Sequence, residues 1–130
     1  MPSKQIVSGL KNKLTRIVKR TDTALHYGTG SLEVLATPAI IKYMEQTAFQ
    51  LMEPLLTKSE TTVGISIHLE HTYAAMIDEE FTCFAELVKT ENKKYSFRIE
   101  ARNVLGKTLG TATHIRYLID EKQFMSKLAK

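Results

Sequence analysis

The chain has 130 residues, 43% hydrophobic and 25% charged, with 18 Lys+Arg against 14 Asp+Glu, which is the profile of one ordinary soluble domain over 1–130. Six glycines and three prolines are too few for a fibrous or disordered chain, and the lone Cys83 excludes an internal disulfide, so a reducing compartment, the cytoplasm, is expected. The start lacks the apolar run of a secretory signal, no stretch approaches the roughly 18 apolar residues of a membrane span, and the net charge of +4 is interleaved with acids rather than gathered into a nucleic-acid stripe.

Residues 13–19 alternate, with Leu14, Arg16 and Val18 against Thr15 and Ile17, as a short strand does. Residues 21–35, with Gly28-Thr29-Gly30, read as a loop, because those glycines lack the preceding strand and the lysine of a phosphate-binding loop. A helix is predicted from Thr37-Pro38, with threonine as the capping residue and proline at the first helical position, and Pro54 limits it. Residues 39–52 are apolar over more than one stripe, so the helix is expected to be covered on several sides.

Beyond the helix the period falls to two. In 61–73, Val63, Ile65, Ile67, Leu69, His71 and Tyr73 share one face, and Ser66, His68, Glu70 and Thr72 the other. Residues 80–89 set Phe81, Cys83, Ala85 and Leu87 opposite Thr82, Phe84, Glu86 and Val88. After a turn at Glu91-Asn92-Lys93, Tyr95, Phe97, Ile99 and Ala101 point inward against Ser96, Arg98, Glu100 and Arg102. A turn over 103–107 leads to a last strand, 108–119, and a polar tail. The order strand, helix, four strands predicts an α+β fold in which one long helix lies across a five-stranded antiparallel sheet. The exposed edges of such a sheet predict a homodimer.

Three residues invite chemistry. Glu45 places a carboxylate in the most apolar segment, where it must face solvent, find a donor, or belong to a site. His71 sits on the apolar strand face, as a satisfied core or rim residue or, with a carboxylate nearby, as an acid–base group; parity puts His68 on the opposite face, which argues against a metal pair. Thr37 is a cap first, and its hydroxyl also stands where a helix N-terminus can stabilise an oxyanion. Cys83 reads as core, and no metal site is expected.

Taken together, Thr37-Pro38, Tyr43-Met44-Glu45, Gly64-Ile65-Ser66-Ile67, Glu70-His71-Thr72 and Thr113-His114-Ile115-Arg116 resemble the hot-dog-fold thioesterases of the fluoroacetyl-CoA thioesterase type. The intervals match as well: eight residues from Thr37 to Glu45, 26 from Glu45 to His71 and seven from Gly64 to His71. The resemblance covers about 14–124. It implies a helix wrapped by the sheet, a homodimer with sheets joined edge to edge, and hydrolysis of an acyl-CoA thioester at the subunit interface, with no cofactor because CoA is part of the substrate. By the same resemblance Thr37, Glu45 and His71 are the catalytic residues, and Gly64 and Arg116 lie beside the substrate. The chain departs from the fluoroacetyl-specific enzyme in 24–36, which holds Tyr27 but no phenylalanine where that enzyme has an aromatic-rich lid, so a short or medium acyl-CoA is expected instead.

On one straight helix Thr37 and Glu45 stand about 12 Å apart along the axis and about 80° apart around it. They converge only through a folded-back segment before the helix, through His71, or through a second chain, and an inter-subunit site is expected. The CoA phosphates have several candidate cations: Lys58, Lys94, Arg98, Lys107 and Arg116. A non-catalytic acyl-CoA or acyl-carrier thioester-binding module is the alternative function. A hot-dog hydratase would carry an aspartate followed five residues later by histidine near its helix start, which is missing before Tyr43. A nucleic-acid-binding domain would need outward aromatics, whereas Tyr95 and Phe97 point inward.

Overall fold

The computed structural model describes residues 6–129. In chain order they form β1 (Lys11–Ile17), a 3-10 turn (Arg20–Asp22), α1 (Ala24–Tyr27), α2 (Thr37–Met52), a second 3-10 turn (Glu53–Leu55), β2 (Glu60–His71), β3 (Glu80–Glu91), β4 (Lys94–Asn103), β5 (Thr108–Asp120) and α3 (Glu121–Leu128). The five strands make one antiparallel sheet in the order β1-β3-β4-β5-β2, and α2 packs on its inner face. This is the predicted hot-dog layout. No helix among the described residues is long and apolar enough to cross a membrane.

The alternation read from the sequence holds in β3 and β4. Phe81, Cys83, Ala85 and Leu87, and Tyr95, Phe97, Ile99 and Ala101, are all buried against α2, and each fully buried phenylalanine contributes about 1.5–3 kcal/mol through the surface it withdraws from water. The Tyr43 ring meets Phe81 edge to face at 5.6 Å. Asn92 turns β3 into β4 with φ of 58°, and Gly106 turns β4 into β5 with φ of 82°, a conformation that glycine adopts without a Cβ clash.

Four local expectations are corrected. The region read as a loop carries the 3-10 turn and α1, whose N-terminus is capped by the Thr23 hydroxyl accepting from the His26 N–H. The polar tail is α3, capped by Asp120 accepting from the Gln123 N–H. The N-cap of α2 is Ala36, so Thr37 is the first helical residue and does not cap it. Lastly, α2 is not covered all round: Ala39, Ile40, Tyr43, Met44, Thr47, Ala48, Leu51 and Met52 are buried, leaving Ile41, Glu45 and Phe49 on an open side.

The face assignment in β2 also changes, because β2 is bulged. Gly64 pairs with Arg116 and Ser66 with Ile115, so Ile65 is the extra residue and the side-chain parity inverts across it. Directly opposed residues share a face, so the inner face of β2 runs Thr62, Gly64, then Ile67, Leu69 and His71, opposite Leu118, Arg116, His114, Ala112 and Gly110. Val63 is therefore on the other face from Ile67, and Ile65 is half exposed.

Ahead of α2, the chain is fastened to the helix by a buried carboxylate. Asp22 is fully buried; both its oxygens accept from the Tyr43 hydroxyl at 2.8 and 2.9 Å, and the Lys19 N–H and Lys42 Nζ complete the set. Burial, then the Asp22 hydrogen bond, pushes the Tyr43 pKa above its usual value. The Asp22 carbonyl accepts from the Ala36 N–H, so the same residue sets the residue before Thr37.

Candidate active site

The inner face of β2 and β5, with the open side of α2, brings the candidate residues into two groups. At the N-terminal end of α2, Thr37 Oγ1 lies 2.9 Å from His71 Nδ1. Freed from capping, the hydroxyl is available to the imidazole. The other ring nitrogen of His71, Nε2, is buried and has no hydrogen-bond partner among the described residues. Burial holds the His71 pKa below the usual imidazole value, partly offset by the Tyr73 backbone. His68 points the other way, exposed and paired with Glu70 at 3.2 Å, as strand parity predicted.

The second group lies two turns along the helix. Glu45 is held over Gly64, with Oε2 at 3.4 Å from Arg116 Nη1 and 3.8 Å from His114 Nε2. A Cβ on Gly64 would stand 2.5 Å from that oxygen, 3.2 Å from His114 and 3.3 Å from Arg116, so the absence of a side chain here is what lets the carboxylate lie against the sheet. Glu45 opens into a depression of about 360 Å³ lined by Pro38, Ile41, Lys42, Gln46, Phe49 and Arg116. Its walls combine the apolar Pro38, Ile41 and Phe49 with Lys42, Gln46 and the Glu45–Arg116 pair.

Arg116 is buried and fixed on three sides: Nε donates to Thr62 Oγ1 at 2.8 Å, Nη2 to the Thr62 carbonyl at 3.1 Å, and Nη1 to His114 Nε2 at 3.0 Å. Burial lowers its pKa and Glu45 opposes that shift. An arginine so enclosed is not a free cation for a CoA phosphate, and Arg98 is paired with Glu86 at 2.8 Å. Those two members of the expected phosphate set are thereby occupied.

The sequence assigns no role to His114, Thr62, Asp22 or Ser66, although His114 and Ser66 fall within motifs that carry the resemblance. The alternation in β5 signals the first of them, since it puts His114 and Arg116 on one face between Ala112 and Leu118. Thr62 and Ser66 take their places through the bulge, which local sequence does not announce. Burial raises the pKa of Cys83 to about 12, in keeping with a core thiol, and no cluster of metal ligands occurs among the described residues.

Within one chain the two groups do not meet. His71 pairs with Gly110 and Gly64 with Arg116, six residues and so about 20 Å apart along β5.

A long helix laid across a five-stranded antiparallel sheet defines the hot-dog fold, and comparison with known proteins places the chain among its thioesterases, which hydrolyse thioesters. Residues 18–122 match the family described as FlK, fluoroacetyl-CoA-specific thioesterase. The fluoroacetyl-CoA thioesterase of Streptantibioticus cattleyicolor is 31% identical over 96 residues, 74% of this chain and 68% of that one. A solved structure of an FlK mutant in complex with acetyl-CoA is 26% identical with a TM-score of 0.88, over 95% of this chain and 97% of that one. A hot-dog-like protein from Thermanaerovibrio acidaminovorans shares the fold at 16% identity, TM-score 0.86, over 93% and 89% of the two chains. The chain belongs to the fluoroacetyl-CoA-specific thioesterase family.

Proposed function

We propose that the protein hydrolyses a short or medium acyl-CoA to the free acid and CoA as a homodimer, at a site that takes Thr37 and His71 from one subunit and Glu45 from the other, with Gly64 and Arg116 beside the acyl group. The observation that carries this reading is the buried, unpartnered Nε2 of His71 next to a bonded Thr37. When the Thr37 hydroxyl donates to Nδ1, Nε2 carries the proton and needs an acceptor, which a carboxylate from a second chain supplies. The unpaired outer edge of β2, with Ile65, Ser66, His68 and Glu70 exposed, is where the two sheets join.

The chemistry needs only these groups and water, so no cofactor is called for. An oxygen nucleophile, water activated by Glu45 or the Thr37 hydroxyl activated by His71, forms a bond to the thioester carbon and gives its proton to that base. Collapse of the tetrahedral intermediate breaks the C–S bond, and the CoA sulfur leaves as thiolate or takes the proton back. If Thr37 attacks, water then cleaves the acyl-threonine in the same way. Pro38 has no N–H, and the Ala39 and Ile40 N–H groups donate to the Ala36 carbonyl, so the N-terminus of α2 offers the oxyanion the Thr37 N–H and the positive end of the helix dipole. Selectivity for a fluorinated acyl group is not carried over, since 24–36 holds α1 and exposed Leu25 and Leu32 rather than phenylalanines.

The test is release of CoA thiol from acetyl-, butyryl-, octanoyl- and phenylacetyl-CoA by the native protein, Glu45→Gln and His71→Ala. Turnover by the native protein that collapses in both variants is expected. Mixing and re-equilibrating the two inactive variants should restore about a quarter of native activity, because half the dimers are mixed and each holds one intact site. Binding without turnover would assign the non-catalytic thioester-binding module, and no recovery on mixing, with subunit exchange verified, would overturn the sharing of one site between His71 and the second chain's Glu45.

A further inference from the structure

His114 is a buried imidazole with no part in the chemistry just described, and its surroundings define its protonation state. Nδ1 lies 2.8 Å from the Ser66 carbonyl, which can only accept, so Nδ1 carries the proton. Nε2 lies 3.0 Å from Arg116 Nη1, which can only donate, so Nε2 presents a lone pair. A ring with one committed proton and one committed lone pair is neutral. Burial lowers the His114 pKa, the Arg116 charge lowers it further, and the Ser66 carbonyl and Glu45 oppose both.

We propose that His114 is a positioning residue, a neutral hydrogen-bond acceptor that fixes the Arg116 guanidinium so that Glu45 receives one long contact and keeps its other oxygen free to react. The geometry supports each link. Thr62 takes one hydrogen each from Nε and Nη2 of Arg116, His114 takes one from Nη1, and held in this orientation the guanidinium brings Nη1 alone within hydrogen-bond distance of Glu45. What remains for Glu45 is Nη1 at 3.4 Å from Oε2, and among the described residues Oε1 has no hydrogen bond. A two-pronged arginine would occupy both carboxylate oxygens; a single long contact orients the group and leaves Oε1 without a hydrogen bond among those residues. The Ser66 carbonyl that sets the tautomer lies just past the Ile65 bulge, so the irregularity in β2 aims the group that decides which imidazole nitrogen faces Arg116. Phe97 packs near the imidazole, with its ring centroid 6.1 Å from that of His114.

The inference rests on Glu45 being the reactive carboxylate, and its test separates the two claims. Side-chain 15N NMR of the free protein reports the tautomer without reference to activity. The expected result is a protonated Nδ1 and an unprotonated Nε2 at pH 7; a proton on Nε2, or a doubly protonated ring, overturns the proposal whatever Glu45 does. Kinetics follow with two substitutions. His114→Gln can present an amide oxygen where Nε2 stood, whereas His114→Asn reaches only the Ser66 side. His114→Asn should lose about 10- to 100-fold in kcat, the worth of a hydrogen bond to a charged group, with KM within about threefold, and His114→Gln should recover most of that loss. Equal kcat losses in the two variants that track their melting temperatures would reduce His114 to a packing residue. If Glu45→Gln retains turnover while the NMR shows the expected tautomer, the reading of Glu45 fails and the positioning of Arg116 stands.

Discussion

The hydroxyl of Thr37 meets Nδ1 of His71 at 2.9 Å, although the two residues are 34 positions apart and one of them opens the helix that covers the other's strand. The contact exists because Ala36 takes the N-cap position, leaving the Thr37 side chain without a backbone duty. Substitution here should therefore separate activity from stability. Thr37→Val is expected to lose about 10- to 100-fold in kcat, since it removes a hydrogen bond to the imidazole and the hydroxyl itself. Its melting temperature should stay within about 2 °C of native, because no cap is lost. Thr37→Ser should keep the contact and most of the turnover. A large fall in melting temperature for Thr37→Val would restore the capping role.

Gly64→Ala tests the close approach of helix and sheet. The new Cβ would fall 2.5 Å from Glu45 Oε2, the mobile end of a side chain, and 3.2–3.3 Å from the buried His114 and Arg116. The carboxylate can move aside, so the fold should lose only about 1 kcal/mol, whereas the acid–arginine pair is displaced. We expect kcat/KM to fall by about tenfold or more while urea unfolding changes little, because a displaced carboxylate no longer meets the reacting carbonyl in line. Native turnover in this variant would remove Glu45 from the chemistry.

Both inward histidines have pKa values lowered by burial, which fixes the direction of the pH response. In the unfolded chain each titrates near 6.5, and in the folded chain below that. Below about 6.5 the unfolded state therefore binds more protons than the native state, so the stability these groups contribute is complete above that pH and is lost as pH falls through their folded values. The melting temperature should drop on acidification, and less steeply in His114→Gln. For His71 the carboxylate proposed to reach Nε2 from the second chain works against burial, so an acid limb of activity with its midpoint above 6.5 is expected when that carboxylate is in place, and a midpoint below 6.5 would show burial prevailing without it.

The Asp22–Tyr43 hydrogen bonds should carry measurable stability. Tyr43→Phe leaves a fully buried carboxylate with only the Lys19 N–H and a 3.4 Å contact to Lys42, and is expected to cost about 1.5–3 kcal/mol in urea unfolding. Because Asp22 also sets Ala36 through its carbonyl, the loss should reach turnover as well. A change under about 0.5 kcal/mol would mean that Lys42 closes in to replace the hydroxyl.

What the chain determines by itself is whatever rides on local period and residue type. The burial of Phe81, Cys83, Tyr95, Phe97 and Ile99 follows from alternation, because a strand with one face on a core repeats every two residues whatever its partners. The position of α2, from Thr37 to just before Pro54, follows from where proline can and cannot sit. The candidates Thr37, Glu45, Gly64, His71 and Arg116 come from the spacing of motifs that resemble a known family. The tertiary structure decided what depends on pairing at long range. The Ile65 bulge, which turns Val63 away and Gly64 toward Glu45, is a property of the register between β2 and β5 rather than of either strand. The contact of Thr37 with His71, the neutral tautomer of His114 and the fastening of Asp22 by Tyr43 each need a partner tens of residues away, and no local pattern encodes which side chain arrives there.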